Sequence, residues 1–204
     1  MSTPFRHVLL GTLDVPGHER EFIILDRAEL RLIRVIAQRS GELTNFGYVV
    51  LEHEHAPDEA DPARPDLRIA AEVSPTEQVA KRRHLVSWLE RLSASERLAP
   101  LGHPGPSVPY ARFDGTRPSL AVVALRDPTL GRGRNDEAVL EFSWGSLRQL
   151  MPVTKELEAR LGGGPTITHR KGWQHAFGRV PRFALAAYTP PDHGYCRKLI
   201  VTLV

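Results

Sequence analysis

Between residues 159 and 191 the chain carries no Asp or Glu, yet it sets Arg160, Arg170, Lys171, Arg179 and Arg182 among Trp173, Phe177, His169 and His175. Guanidinium and ammonium groups hold phosphates and flat rings stack on bases, so these are the residue types of a surface that meets a polyanion. A second basic turn, Gly131-Arg132-Gly133-Arg134, would extend such a surface, with Arg126, Arg132 and Arg134 clamping an anion or simply keeping a surface loop soluble. On this reading Arg132, Arg134, Arg170, Lys171, Arg179 and Arg182 contact phosphates, while Trp173 and Phe177 stack on bases. Trp173 lies between Gly172 and Gln174 in a stretch with little periodic apolar character and is expected to be partly exposed. RNA or single-stranded DNA is favoured over duplex, because no helix-turn-helix, zinc-finger or basic-region helix pattern is present.

The same segment admits two other readings. In a protein assembly, Trp173 and Phe177 would be hydrophobic anchors and the arginines would meet an acidic partner surface. In a hydrolase, histidines would do the work. If residues 166–171 form a strand, His169 and Lys171 share a face, and with His175 they would supply base, acid and phosphate stabiliser for cleaving RNA through its 2′-hydroxyl. His53 and His55, in Glu52-His53-Glu54-His55, would also share a strand face, with Asp66 or Glu72 near enough in sequence to complete a metal site. Two histidines do not make a site, and a solvated strand end running into an acidic loop is the favoured reading. No catalytic residue, metal or cofactor is assigned on this basis.

Other chemistries find less support. The Gly131 turn lacks the Lys and the Ser or Thr of a P-loop, and Gly162-Gly163-Gly164 follows a helical pattern, where a dinucleotide fingerprint would open one. Ser143-Trp144-Gly145-Ser146 lacks the glycine spacing of a nucleophile elbow. The single cysteine, Cys196, excludes an internal disulfide and reads as structural at the start of an apolar strand. Twenty-seven basic residues against 24 acidic leave a net charge of only +3, so attraction to a polyanion depends on clustering. The acids do gather upstream, from Glu52 to Glu72, leaving the C-terminal third basic. No apolar run approaches membrane-spanning length and the N-terminal residues lack a signal-peptide order, so a cytoplasmic protein without membrane contact is expected.

The elements that must position these residues follow from spacing. Residues 7–13, 21–25, 46–52 and 67–73 are short apolar runs between turn residues and read as strands; 30–37 is ambiguous, with its β-branched residues favouring strand. Residues 56–65, rich in Pro, Asp and Glu, read as a mobile hairpin loop. Ser74-Pro75-Thr76-Glu77 has the form of a helix start, with Leu85, Trp88, Leu89 and Leu92 as the buried stripe. Ser146-Leu147-Arg148-Gln149 opens a second helix, kinked or broken at Pro152 and ended by the glycines at 162–164. Residues 120–126, 138–142, 166–170, 183–188 and 198–204 complete the strands. The expected fold is α+β, an antiparallel or mixed sheet with about two main helices. It forms one domain, or two half-domains at 1–98 and 119–204 joined by the Pro/Gly-rich connection 99–118.

Overall fold

In the computed structural model of the protein, residues 6–93, 99–133, 136–161 and 166–204 are described. Five strands close into a barrel: β1 (His7–Leu13), β2 (Glu21–Asp26), β3 (Arg31–Ser40), β4 (Gly47–Glu52) and β5 (Leu67–Val79). Around the barrel the order is β1-β2-β3-β5-β4, with β4 returning to pair with β1 and with β3 and β5 parallel. That is a Greek-key path, three sequential strands with the fourth laid beside the first. Leu9, Phe22, Ile24, Ile33, Val35, Val49, Leu51, Ala70 and Val73 fill its interior.

A second sheet lies against the barrel, in the order β6 (Ser107–Pro109), β12 (Tyr195–Leu203), β11 (Phe183–Tyr188), β7 (Leu120–Ala124). Strand alternation gives it two apolar faces. Leu120, Val122, Phe183, Leu185 and Val201 meet Val8, Leu10, Ile23 and Leu25 from the outside of the barrel, together with Leu85 and Leu89 of α1 (Arg82–Leu92). Val123, Ala184, Ala186, Tyr188 and Ile200 face the other way, onto a three-stranded sheet of β8 (Thr129–Arg132), β9 (Ala138–Trp144) and β10 (Leu147–Pro152). The short helices α2 (Lys155–Leu161) and α3 (Arg170–Phe177) complete that layer through Leu157 and Trp173. No described helix is long and apolar enough to cross a membrane.

Strands account for 47% of the chain and helices for 17%, which overturns the α+β expectation with two main helices. Neither presumed helix start opens a helix. Ser74 and Pro75 continue β5, and the Ser74 hydroxyl donates to Glu72 Oε1 at 2.6 Å instead of capping a turn. Proline is tolerated there because the β3 ladder stops at Ser40–Val73, so the missing N–H leaves no bond unmade on that side. Gly41 lets the Pro75 ring approach: a Cβ at position 41 would lie 2.9 Å from Pro75 Cδ. In the second case Gly145 and Ser146 are a two-residue hairpin turn between Trp144 and Leu147, with Gly145 at φ 56°, so the chain doubles back as β10 and ends it at Pro152.

Residues 166–170 are not a strand either. Ile167 makes one bridge to Leu130 and the chain enters α3 at Arg170. The connection 99–118 carries β6 and buries Leu101 and Val108. Nor is the acidic stretch a free loop: Ala63 is fully buried, Arg64 Nε donates to Asp61 Oδ2 at 2.6 Å, and the Tyr110 hydroxyl donates to Asp61 Oδ1 at 3.2 Å. Its composition hides a packed polar core. Arg34, fully buried on the outer side of β3, donates to Glu21 Oε2, to Ser119 Oγ at 2.7 Å and to the Ser119 carbonyl at 2.9 Å. Arg64 reaches the other oxygen of Glu21 at 2.5 Å, and Ser119 Oγ donates to Asp66. Two guanidiniums and three carboxylates thereby join the barrel to the second sheet.

Candidate nucleic-acid interface

The outer face of the second and third strands, which five-stranded Greek-key barrels of the OB type use for oligonucleotides, is covered here by the second sheet. That face is therefore closed to an oligonucleotide in this chain. One open groove of about 680 Å³ is lined by Arg126, Arg148, Arg170 and Arg182, with Asp127 as the one carboxylate among its described lining residues. Its lining comes from four chain segments, 124–129, Arg148, 168–173 and 180–183, and backbone bonds fix the first of them to its neighbours. Leu125 N–H donates to the Arg182 carbonyl at 2.8 Å, and Ser143 N–H donates to the Arg126 carbonyl at 3.0 Å. Arg148, on β10, lays its guanidinium across the same turn: it donates to the Asp127 carbonyl at 3.3 Å, to Ser143 Oγ at 3.1 Å and to Glu141 Oε1 at 2.9 Å.

Trp173 is the floor and not a stacking platform. It is 2% exposed, and its indole N–H donates to the Pro128 carbonyl at 3.2 Å. The bond pins α3, whose first residue is Arg170, to the turn that carries Arg126. A ring with so little accessible surface can neither stack on a base nor anchor a partner protein, which removes it from both roles expected of it. Its burial has a local cause: α3 turns Trp173 inward against the core below β7 and β11, with the half-buried Phe177 beside it, ring centroids 5.5 Å apart.

The remaining expected residues divide. Arg170 and Arg182 line the groove. Arg170 is exposed and, like Arg126, makes no side-chain hydrogen bond or ion pair with a described residue, whereas Arg182 pairs with Glu90 of α1 at 2.7 Å. Lys171 is exposed on α3 but lies outside the groove lining. Arg132 is drawn away: it donates to the Asp136 carbonyl at 2.8 Å and pairs with Glu158 of α2. Arg134 lies outside the described residues. Phe177 and Arg179 line a different cleft, which meets the groove at Pro181. Arg126 was expected only as an anion clamp with Arg132 and Arg134, and Arg148 was missed. Arg126 closed an expected strand and Arg148 sat inside a supposed helix cap, so only the hairpin geometry brings them together.

The histidine chemistries are not assembled. His169 precedes α3 and Lys171 lies within it, so the shared strand face required for RNA cleavage is absent. His53 takes φ 53° and its carbonyl lies 2.9 Å from His55 Nδ1, so the alternation ends at Glu52. Asp66 is taken by Ser119, and Glu72 stands opposite Glu52. Among the described residues no three His, Cys, Asp or Glu side chains are grouped so as to hold a metal ion. Cys196 is buried, and burial pushes its thiol up to about 11, the opposite of an activated nucleophile. Comparison with protein families, curated proteins and solved structures returned no match to the chain.

Proposed function

We propose that the chain binds single-stranded nucleic acid, RNA or single-stranded DNA, by its phosphates along the groove of Arg126, Arg148, Arg170 and Arg182. The observation that carries this reading is the imbalance of the lining, four guanidiniums against one carboxylate, with two of the guanidiniums unpaired among the described residues. Arginine suits the task because its planar fork meets two phosphate oxygens at once. A recessed groove favours a strand whose backbone can bend into it; duplex readers instead present a helix or ribbon to the major groove. With no exposed aromatic ring in the lining, affinity rests on phosphate contacts and is tolerant of sequence and sensitive to salt.

Fluorescence anisotropy with labelled oligo-U and oligo-dT at several salt concentrations tests this. Each lost single-strand phosphate contact lowers the slope of log K against log salt by about 0.7, so Arg126→Ala/Arg170→Ala is expected to flatten it by about 1.4. Arg132→Ala, which removes a guanidinium already held by Glu158, should leave the slope unchanged. An unchanged slope in the double variant, or no binding by the unaltered protein, overturns the proposal.

A further inference from the structure

The cleft on the far side of Pro181, about 700 Å³, lies where the end of the barrel meets α2, the residues after α3 and β12. Its size is in the range of pockets that enclose small organic ligands. Arg179 stands in its wall, half-buried, with no hydrogen bond or ion pair to any described residue. Arg160, in the same wall, places its guanidinium 5.8 Å from the centroid of the Phe177 ring and is likewise without an acidic partner among the described residues. Of the other charged lining residues, Arg20 is occupied by Asp14 at 2.8 Å, and Glu42 and Glu156 are exposed. Thr12, Ser40, Asn45 and Thr202 add polar groups, while Leu43 and Leu157 give the cleft an apolar side.

A guanidinium partly removed from water without a carboxylate beside it carries a cost, and like charges nearby add to it. Burial, with Arg82 and Arg160 close by, pulls the Arg179 guanidinium below its usual value. The fold keeps it there nevertheless. An anion placed between Arg179 and Arg160 would offset the burial and the mutual repulsion together, and the polar and apolar walls suit an organic body attached to that anion.

We propose that this cleft is a binding site for a small phosphate ester, with the phosphate held by Arg179 and Arg160 and the organic moiety against Leu43 and Leu157. The site is independent of the arginine groove. Isothermal titration calorimetry on the full chain, with ribose 5-phosphate and adenosine monophosphate as probes and adenosine as the phosphate-free control, tests it. Both esters are expected to bind and adenosine is not. Arg179→Gln and Arg160→Gln should each weaken the esters at least tenfold, and Arg126→Ala/Arg170→Ala should leave them unchanged. Without ligand, Arg179→Gln should melt at the same temperature as the unaltered protein or higher, because it removes an uncompensated charge; added ester should then raise the melting temperature of the unaltered protein and not of the variant. Absence of binding by both esters, equal affinity in the Arg179 variant, or loss of ester binding in the groove variant overturns the proposal.

Discussion

Replacing Glu21 by Gln should cost about 3 kcal/mol of folding stability, near the lower end of the range of about 3–5 kcal/mol for breaking a buried ion pair from one side. The substitution keeps shape and volume, so it tests charge and hydrogen bonding and not packing. Glu21 accepts from Arg34 on one oxygen and from Arg64 on the other, and its own side chain is 1% exposed. Without its charge, the fully buried Arg34 keeps the two bonds to Ser119 and an Asp66 oxygen 3.9 Å away, and Arg64 keeps Asp61 at 2.6 Å. These residual partners set the estimate at the low end. Urea denaturation followed by far-ultraviolet circular dichroism measures the loss as a lower midpoint at unchanged slope. Arg34→Met and the double variant complete a cycle in which the combined loss falls short of the sum of the single losses by at least about 1 kcal/mol, since both remove the same pair. A Glu21→Gln loss below about 1 kcal/mol, or strict additivity, would refute the view that this network holds the barrel to the second sheet.

Two further outcomes concern single buried side chains. Trp173→Ala should cost about 3–5 kcal/mol of stability in the same assay, as large-to-small core changes do, and a loss within about 0.5 kcal/mol would mean that the indole is not buried. Lys198, 2% exposed and donating to the His103 carbonyl, is pushed by burial from its ordinary 10.5 down to about 8. The unfolded chain then binds more protons between those values, so stability rises with pH from about 8 by up to about 3 kcal/mol, at about 1.4 kcal/mol per unit of pKa. Cys196 opposes this from about pH 9, because its thiol, pushed up to about 11, holds its proton longer in the folded state. Urea midpoints should therefore climb from pH 7.5 to 9 and then level. Lys198→Met should abolish the climb and Cys196→Ala should extend it towards pH 10.5; a flat profile in the unaltered protein counts against the burial of Lys198.

What the residues disclosed on their own was local and apolar. Runs such as 7–13 and 183–188 coincide with β1 and β11 because alternation and β-branching act within a few positions. The errors arose where a local motif met a distant demand. Ser74-Pro75-Thr76-Glu77 satisfies every requirement of a helix start, but β4 recruits it through backbone pairing, and sheet closure outweighs a capping preference of about 1 kcal/mol. The buried network was invisible for the same reason: Arg34 reads as one polar position in an apolar strand, and Ser119 lies 85 positions away. At the candidate interface, the acid-free segment supplies Arg170 and Arg182 to the groove lining. It could not reveal that Trp173 turns inward, since burial of an indole beside glycine depends on which face of an eight-residue helix meets the core.

The distance between Arg34 and Ser119 also bears on how the chain assembles. Strands β1, β2 and β3 pair with their sequence neighbours, whereas β5 lies between β3 and β4 and closes the barrel through contacts of larger separation. Contacts of such separation close slowly. Until β11 and β12 have left the ribosome, the outer face of β1 and β2, with Val8, Leu10, Ile23 and Leu25, has no complete sheet to cover it. During that interval Glu21 and Arg34 stand in water as a charged pair on an otherwise apolar surface, where they discourage strangers from adhering. The same two side chains thus carry charge on the exposed face of the nascent chain and form a clasp in the finished one.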